Sequence, residues 1–255
     1  HLSLRRQRQM CIRDSGTGDA GGTDLTFTNF NGGKAYGINA AKDLVTGLFA
    51  ATGTYRVTGD TVALSNPGLN GRTLNALKID GAGTDVMFAT SGGAQLTLTA
   101  ANILSTGANQ SIGNASLVTA NTAPVIAFGT VEGGLLVDTG ASLAVNATIS
   151  SGAANVTKGL AGSLSFNTKQ FFNTGANYFT VLGGTVTLNG GVNTLWQGVQ
   201  GGTAGQHLSV GFGATLDLNG NSQMVGDIRT PNSNAAIGGG GTITSSTAAT
   251  LITGG

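Results

Sequence analysis

A short unit that recurs along the chain is the feature that most constrains its fold. The unit is a glycine, one or two small or polar residues, two apolar residues separated by one residue, and usually an asparagine. Its first apolar position falls at seven places: Leu96, Leu117, Leu143, Leu164, Val186, Leu216 and Ile243. The shortest steps between these positions are 21 and 22 residues, and the others are longer. Such a repeat predicts a solenoid with coils of about 22 residues and insertions in some of them.

The alternation within each unit predicts how one coil packs on the next. Residues i and i+2 share one face of a β-strand, so the two apolar side chains of a unit point to the same side. A single strand cannot bury them, but a copy stacked about 4.8 Å above supplies both ladder hydrogen bonds and apolar contact. We therefore predict an all-β, parallel β-helix with two inward columns of side chains: Leu143, Leu164 and Val186 in one, and Val145, Phe166 and Leu188 in the other.

Some stretches allow other interpretations. Alternating strands joined by turns are also expected of an antiparallel sandwich or barrel, although such folds do not need near-identical units at a regular step. The stretch 34–49 departs from the repeat and is either a short helix on the side of the rod or further strand, since Gly37 and Gly47 weaken a helix. The glycine-rich stretch 231–241 is typical of a flexible loop.

The first fifteen residues have a different character from the rest of the chain. They contain no glycine, four of the arginines and the only cysteine, and residues 5–15 resemble a translated sequencing-library adapter. We expect residues 1–15 to be a non-native, disordered segment at the start of a truncated reading frame. The solenoid is then expected over residues 16–255, with its clearest repeats at 92–226.

Without those fifteen residues the charge balance changes sign. The full chain carries 12 basic and 11 acidic residues, and removal of four arginines and Asp14 leaves 8 and 10, a net charge of −2. Such a weakly charged chain offers no electrostatic basis for binding nucleic acid. The sequence contains no run of about 18 apolar residues, so it predicts no transmembrane helix. Residues 16–255 also lack cysteine, which is compatible with passage through an oxidising bacterial periplasm.

Parts of the repeat region resemble the autotransporter-associated β-strand repeat family. Residues 157–166 read TKGLAGSLSF and residues 177–188 read NYFTVLGGTVTL, similar to that family's Lys-Gly turn, Thr-Leu strand and Gly-Gly-Thr-Leu strand. Residues 213–226, GATLDLNGNSQMVG, resemble a Leu-Asp-Leu-Asn-Gly-Asn segment of the same proteins. The resemblance covers about residues 140–226. Residues 169–172, KQFF, depart from it, because a small polar run is usual at that place.

The resemblance implies a right-handed parallel β-helix that forms the passenger of a secreted protein, outside the cell on the outer-membrane surface of a diderm bacterium. Members of the family mostly act as adhesins or surface scaffolds, so the implied function is structural and adhesive, without catalysis. The implied partners are host or environmental glycans or proteins. Contact with the membrane would come only through a C-terminal translocator, which we expect this fragment to lack, together with the signal peptide.

Candidate catalytic residues are few. His207 is the only histidine after residue 1, and no nucleophile elbow accompanies it, so we expect it to be a solvated loop residue. The main alternative function is a carbohydrate-active β-helix, a polysaccharide lyase or hydrolase whose catalytic coils are missing. That chemistry needs two carboxyl groups about 5–10 Å apart, and therefore acids that recur at the coil spacing. Asp138 and Asp217 have no such neighbours, and Asp227 lies only ten residues from Asp217, so we expect no catalytic site.

The best candidates for a metal site are glycine-aspartate turns. Asp80 and Asp85 frame one turn and Asp19 and Asp24 another, and both turns could offer oxygen ligands to Ca²⁺. Neither matches a calcium-binding repeat or an EF-hand loop. We therefore expect these aspartates to serve as turn formers, and the sequence predicts neither a metal nor a cofactor.

The large aromatic residues are expected to serve the fold. Trp196 is the only tryptophan, and we expect it to seal the edge of a coil, with stacking on a sugar ring as the alternative. Four phenylalanines are expected to stack in the core: Phe166, Phe171, Phe172 and Phe179.

Overall fold

The molecule is a parallel β-solenoid. The structure, a computed structural model, describes residues 27–28, 35–36, 42–43, 54–58, 62–64, 72–88, 95–115, 124–152, 154–172, 178–196, 207–228 and 240–254. Every secondary-structure element with described bounds is a β-strand. Among these strands, β1 (Phe27–Thr28) and β2 (Ala35–Tyr36) pair antiparallel, and all the other pairings are parallel. The predicted fold class is confirmed, and the antiparallel sandwich is excluded for this part of the chain.

Three ladders of stacked strands build the solenoid, because each full coil contributes one strand to each ladder. The first ladder holds the opening parts of β6 (Arg72–Asp80) and β8 (Gln95–Ser105), then β10 (Val125–Gly129), β13 (Thr148–Ser151), β16 (Gln170–Phe172) and β19 (Leu195–Trp196). The second holds β3 (Lys42–Asp43), β4 (Thr54–Thr58), the closing parts of β6 and β8, β11 (Gly133–Val137), β14 (Val156–Gly159), β17 (Tyr178–Val181) and β20 (His207–Val210). Because β6 and β8 belong to both, these two ladders form one 12-stranded sheet.

The third ladder is a separate sheet of eight strands. It holds β5 (Val62–Leu64), β7 (Asp85–Phe88), β9 (Gln110–Ile112), β12 (Ser142–Val145), β15 (Ser163–Phe166), β18 (Thr185–Leu188), β21 (Thr215–Asp217) and β23 (Thr242–Thr244). A further parallel pair joins β22 (Gln223–Val225) to β24 (Leu251–Thr253). At about 4.8 Å per strand, the seven steps of the third ladder extend it over roughly 34 Å.

Both predicted inward columns are present in the third ladder. Leu164 pairs with Leu143 on one side and with Val186 on the other. The second column repeats the pattern with Phe166 between Val145 and Leu188. All of these side chains are at most 1% exposed. The burial pattern of the strands alternates, as the two-residue period of the sequence predicts.

The coils are longer on average than the predicted 22 residues. Successive steps along the third ladder are 24, 26, 33, 21, 22, 30 and 27 residues, with a mean of about 26. Leu96, which begins one copy of the repeat unit, lies outside this column and pairs with Ile126 in the first ladder. The residue stacked beneath Leu143 is Gln110. Strands of different ladders show the same alternation, so alternation alone does not say which ladder a strand joins.

Glycine precedes two of the third-ladder strands because stacked corners approach closely there. A Cβ atom on Gly162 would overlap the carbonyl oxygen of Asp138 in the coil below. A Cβ atom on Gly184 would overlap the carbonyl oxygen of Gly162, and the backbone of Gly184 is in the left-handed region with φ of 63°. At these two positions the glycine is a packing requirement of consecutive coils, whereas Gly140 and Gly213 have space for a Cβ atom and a left-handed backbone instead, with φ of 77° and 78°.

Three of the four predicted core phenylalanines pack together inside the solenoid. The ring centroid of Phe166 lies 6.0 Å from that of Phe172 and 5.8 Å from that of Phe179. The rings of Phe172 and Phe179 stack at 5.3 Å. The prediction for Phe171 is wrong: its side chain is 37% exposed, because it alternates outward between two buried neighbours on β16.

Several predictions fall wholly or partly outside the described residues. This holds for the segment 1–15, for Asp19 and Asp24, for Leu117 and for most of the stretch 231–241. Within 34–49, the described residues belong to strands β2 and β3, which favours the strand interpretation for those positions.

Candidate ligand-binding face

The outward side chains of the third ladder form a flat array of hydroxyl groups, which we call the hydroxyl face. Its first rank holds one residue from each of five consecutive strands: Ser142, Ser163, Thr185, Thr215 and Thr242. Its second rank holds the residues two positions later, with one from β9 in addition: Ser111, Ala144, Ser165, Thr187, Asp217 and Thr244. Neighbours within a rank are about 4.8 Å apart and the ranks about 6.7 Å apart, as strand geometry requires.

Most hydroxyls of this face are available to a ligand. Within the described part of the chain, seven of them make no side-chain hydrogen bond: Ser163, Ser165, Thr185, Thr187, Thr215, Thr242 and Thr244. Two others are engaged within the protein, since Ser111 donates to Asp85 at 2.6 Å and Ser142 accepts from the backbone N–H of Asn109 at 2.7 Å. A Ser or Thr hydroxyl offers one donor and two acceptor positions, so the face presents a dense lattice of both.

A groove with a volume of about 390 Å³ lies over one end of the hydroxyl face. It follows four consecutive strands, from β9 to β18, and therefore runs along the rod. Its walls and floor are neutral: Asn109, Gln110, Ser111, Ser142, Leu143, Ala144, Ser163, Leu164, Ser165 and Thr187. The groove exists where serine and alanine replace the threonines of later coils, because shorter side chains leave more space above the sheet.

A ladder of asparagine side chains borders the same face. The amide of Asn167 donates to Asn146 at 2.7 Å, Asn189 donates to Asn167 at 3.0 Å, and Asn219 donates to Asn189 at 2.8 Å. These are the asparagines that end the repeat unit. Their amides pair with one another from coil to coil, so the ladder fixes the border of the face.

Charge is nearly absent from the hydroxyl face. Asp217 is the only charged side chain among the two ranks from Ser142 to Thr244. Asp85 lies on the second rank beyond Ser111, at the opposite end. The two acids are five strands apart along the rank, or about 24 Å. The middle of the face therefore carries hydrogen-bonding groups without ionic ones.

Lys158 is a buried lysine that the sequence interpretation did not single out. It lies in an inward column between Leu135 and Val181 and is 0% exposed. Its Nζ atom donates to the carbonyl oxygens of Leu160 at 2.7 Å, Gly162 at 2.6 Å and Gly183 at 2.7 Å. Burial lowers the pKa of Lys158 to about 8. The side chain thus makes two hydrogen bonds to the corner between the second and third ladders of its own coil and one to the same corner of the next coil.

Of the aspartates considered for calcium, Asp80 and Asp85 have partners within the protein. The Asp80 carboxylate pairs with Arg56 at 2.6 Å and lies 3.4 Å from Nζ of Lys78, while Asp85 accepts from Ser111. Burial alone would raise the pKa of Asp80, but the hydrogen bond from Thr106 and the charges of Lys78 and Arg56 outweigh it and hold the pKa below its ordinary value. Two cations thus balance the two acids, which leaves the turn without the excess negative charge that holds Ca²⁺.

The prediction that His207 is a solvated loop residue is wrong. His207 begins strand β20, is only 2% exposed, and its Nδ1 atom contacts the carboxylate of Asp227. Its ring centroid lies 5.0 Å from that of Tyr178, the residue with which it pairs in the ladder below. The glycines before it suggested a loop, but strand pairing to β17 and the Asp227 carboxylate compensate for burying a polar ring.

The remaining acids and the tryptophan lie at separate places. Asp138 accepts from the backbone N–H of Thr139 at 2.7 Å, and Asp217 accepts from that of Asn219 at 2.9 Å, so each stabilises its own turn. Trp196 ends β19 and pairs with Phe171 in the first ladder, on a different sheet from the hydroxyl face. Over the described ranges, no group of three or more His, Cys, Asp and Glu side chains is placed to hold a metal ion.

Comparison with known protein families, with curated proteins and with solved structures found no match to this chain. In the described part of the chain, no helix is both long and apolar enough to span a membrane.

Proposed function

We propose that this chain is a non-catalytic, adhesive rod of a secreted, autotransporter-type bacterial surface protein. The observation that carries the proposal is the third ladder, in which consecutive coils repeat an outward face of neutral hydroxyls with unengaged hydrogen-bonding capacity. A rod that repeats one surface suits multivalent attachment, because several weak contacts add up along its length. The absence of cysteine from residues 16–255 and the resemblance of residues 140–226 to passenger repeats support secretion to the cell surface.

A carbohydrate-active β-helix is the rival function. Glycosidic chemistry needs two carboxyl groups about 5–10 Å apart. On the hydroxyl face the two acids are about 24 Å apart, and the other aspartates that have described partners are engaged by Arg56, Lys78, His207 or backbone N–H groups. These placements favour attachment over cleavage.

The test is a paired measurement of attachment and turnover on the same surfaces. Beads coated with the purified chain are compared with beads coated with a blocking protein for retention on immobilised polysaccharides and matrix proteins. The soluble chain is incubated with the same polysaccharides, and new reducing ends and unsaturated uronate absorbance are measured. We expect retention on at least one surface without product. Product release would establish the rival function, and retention no better than that of the control beads would overturn adhesion.

Surface display is tested separately. The chain is fused between a signal peptide and a translocator barrel in a laboratory diderm bacterium, and intact cells are labelled with antibodies against the chain. We expect labelling that is lost after external protease treatment. Chain that accumulates folded inside the cell, while an established passenger in the same fusion is displayed, would contradict the passenger assignment.

A further inference from the structure

We propose that the hydroxyl face binds a neutral polysaccharide that lies along the rod, with its sugar hydroxyls on the two Ser and Thr ranks. This inference rests on the proposed adhesive function and goes further, because it names the surface and the chemical class of the ligand. Its basis is the combination of free hydroxyls, an elongated groove and the distribution of charge.

The free hydroxyls set the kind of ligand. Those of Ser165, Thr185 and Thr187 lie side by side on neighbouring strands and have no partner within the described protein. Each can both donate and accept, as each hydroxyl of a sugar can. A single neutral hydrogen bond contributes only about 0.5–1.5 kcal/mol, so an isolated monosaccharide would bind weakly. A polymer that meets several rungs at once gains from repetition, which favours a polysaccharide over a small sugar.

The shape of the groove sets the direction of the ligand. The groove spans the four rungs from Ser111 on β9 to Thr187 on β18, a length of about 14 Å at the strand spacing. Its volume of about 390 Å³ is in the range of sites for small ligands or short segments of a chain. Because the two ranks continue past the groove over β18, β21 and β23, an extended polymer can leave it without turning away from the face.

The charges set the class of polysaccharide. No lysine or arginine lies on either rank, so an acidic polymer would gain no ion pair. Asp85, beyond Ser111 at one end of the second rank, and Asp217, one strand before Thr244 at the other end, repel anionic groups along it. A neutral polymer meets no such repulsion, and its hydroxyls can donate hydrogen bonds to either carboxylate.

The experiment measures binding of the 255-residue chain to neutral polysaccharides (laminarin, dextran, galactomannan and xyloglucan) and to polygalacturonate, by affinity electrophoresis and calorimetry. Ser165→Lys and Thr187→Lys place a long charged side chain on the groove without touching the core. Ser150→Lys is the matched control, because Ser150 is an outward serine of the first ladder. Circular dichroism and thermal unfolding establish that each variant keeps the wild-type fold.

We expect binding to at least one neutral polysaccharide and none to polygalacturonate. Affinity should fall about tenfold or more in Ser165→Lys and Thr187→Lys, a loss of at least about 1.4 kcal/mol, and stay within about twofold in Ser150→Lys. Equal losses in all three variants, or preference for polygalacturonate, would overturn the inference.

Other outcomes separate this inference from the function on which it rests. If the chain adheres to immobilised proteins but to no neutral polysaccharide, the inference fails and the adhesive function stands. If the chain adheres to nothing, both fail. Inhibition of ice recrystallisation by a chain that binds no polysaccharide would assign the hydroxyl lattice to ordered water, and would overturn the inference in that way.

Discussion

The Nζ atom of Lys158 donates a hydrogen bond to the carbonyl oxygen of Gly183, 25 residues further along the chain, at 2.7 Å. Two more bonds join the same nitrogen to the carbonyl oxygens of Leu160 and Gly162 in its own coil. One side chain therefore ties the corners of two consecutive coils together from inside the solenoid. The carbonyl groups at a corner lack the regular hydrogen bonds of a strand ladder. They can be buried only if another group, such as this ammonium, donates to them.

Removal of the Lys158 ammonium should destabilise the fold. In Lys158→Met the carbonyl oxygens of Leu160 and Gly183 lose their described donor, and that of Gly162 keeps only a long bond of 3.4 Å from Thr185. Each orphaned buried acceptor costs about 1–3 kcal/mol, so we expect the free energy of unfolding to fall by about 3 kcal/mol at pH 7 in urea titrations. Lys169→Met, at an exposed lysine, is the control and should change it by less than about 0.5 kcal/mol. Equal effects of the two substitutions would contradict the role of Lys158.

The stability contributed by Lys158 should depend on pH. Burial lowers its pKa from the ordinary 10.5 to about 8 in the folded chain. Between these values the unfolded chain holds the proton and the folded chain does not, so the free energy of unfolding rises with pH from about 8 to 10.5. This pH-dependent part of the stability is lost as pH falls through 8, and below that pH only the contribution of the protonated side chain is left. The shift corresponds to about 3 kcal/mol. Unfolding free energies of wild type and Lys158→Met at pH 7, 9 and 10.5 should therefore diverge as pH rises, and a constant difference would be incompatible with the lowered pKa.

The third ladder could be predicted from the sequence because short stretches of residues show both the inward side chains and the matching strands. Leu143 and Val145 lie two residues apart and need a neighbour with the same spacing, which Leu164 and Phe166 supply 21 residues later. The period of two fixes which side chains are inward, and near-identical units fix the pairing. The same period also places the hydroxyls of Ser165 and Thr187 outward, whereas their alignment into continuous ranks follows only from the pairing of the whole ladder.

Corner lengths and buried polar partners could not be predicted in this way. A corner of any length can join two strands without disturbing the ladder. The residues of the strands themselves therefore do not indicate that 33 residues separate Ile112 from its partner Val145. Burial of Lys158 and His207 depends on partners 20 or more residues away, Gly183 and Asp227. The alignment of Lys158 with the apolar residues Leu135 and Val181 of the neighbouring strands would have shown its inward position, but it requires the pairing of the second ladder.

The asparagine ladder should stabilise the border of the hydroxyl face. Asn167 donates to Asn146 and accepts from Asn189, so Asn167→Ala removes two amide hydrogen bonds and leaves the nearly buried Asn146 without one of its partners. We expect a loss of about 1–2 kcal/mol in the free energy of unfolding. Ser165→Ala, two residues earlier in the chain, removes a hydroxyl without a described partner and should be nearly neutral. If both variants unfold at the same urea concentration, the ladder does not contribute as described.

The aromatic cluster should be the most sensitive part of the core. Phe166 lies within the second inward column and contacts Phe172 and Phe179 of the neighbouring coil, so Phe166→Ala opens a cavity that the rigid ladders cannot close. We expect the free energy of unfolding to fall by about 3–5 kcal/mol, measured by circular dichroism in urea. The matched control is Phe212→Ala, since Phe212 is 85% exposed and its truncation should cost less than about 0.5 kcal/mol. A Phe166→Ala variant as stable as Phe212→Ala would show that the register of the third ladder is wrong, because that register places Phe166 inside.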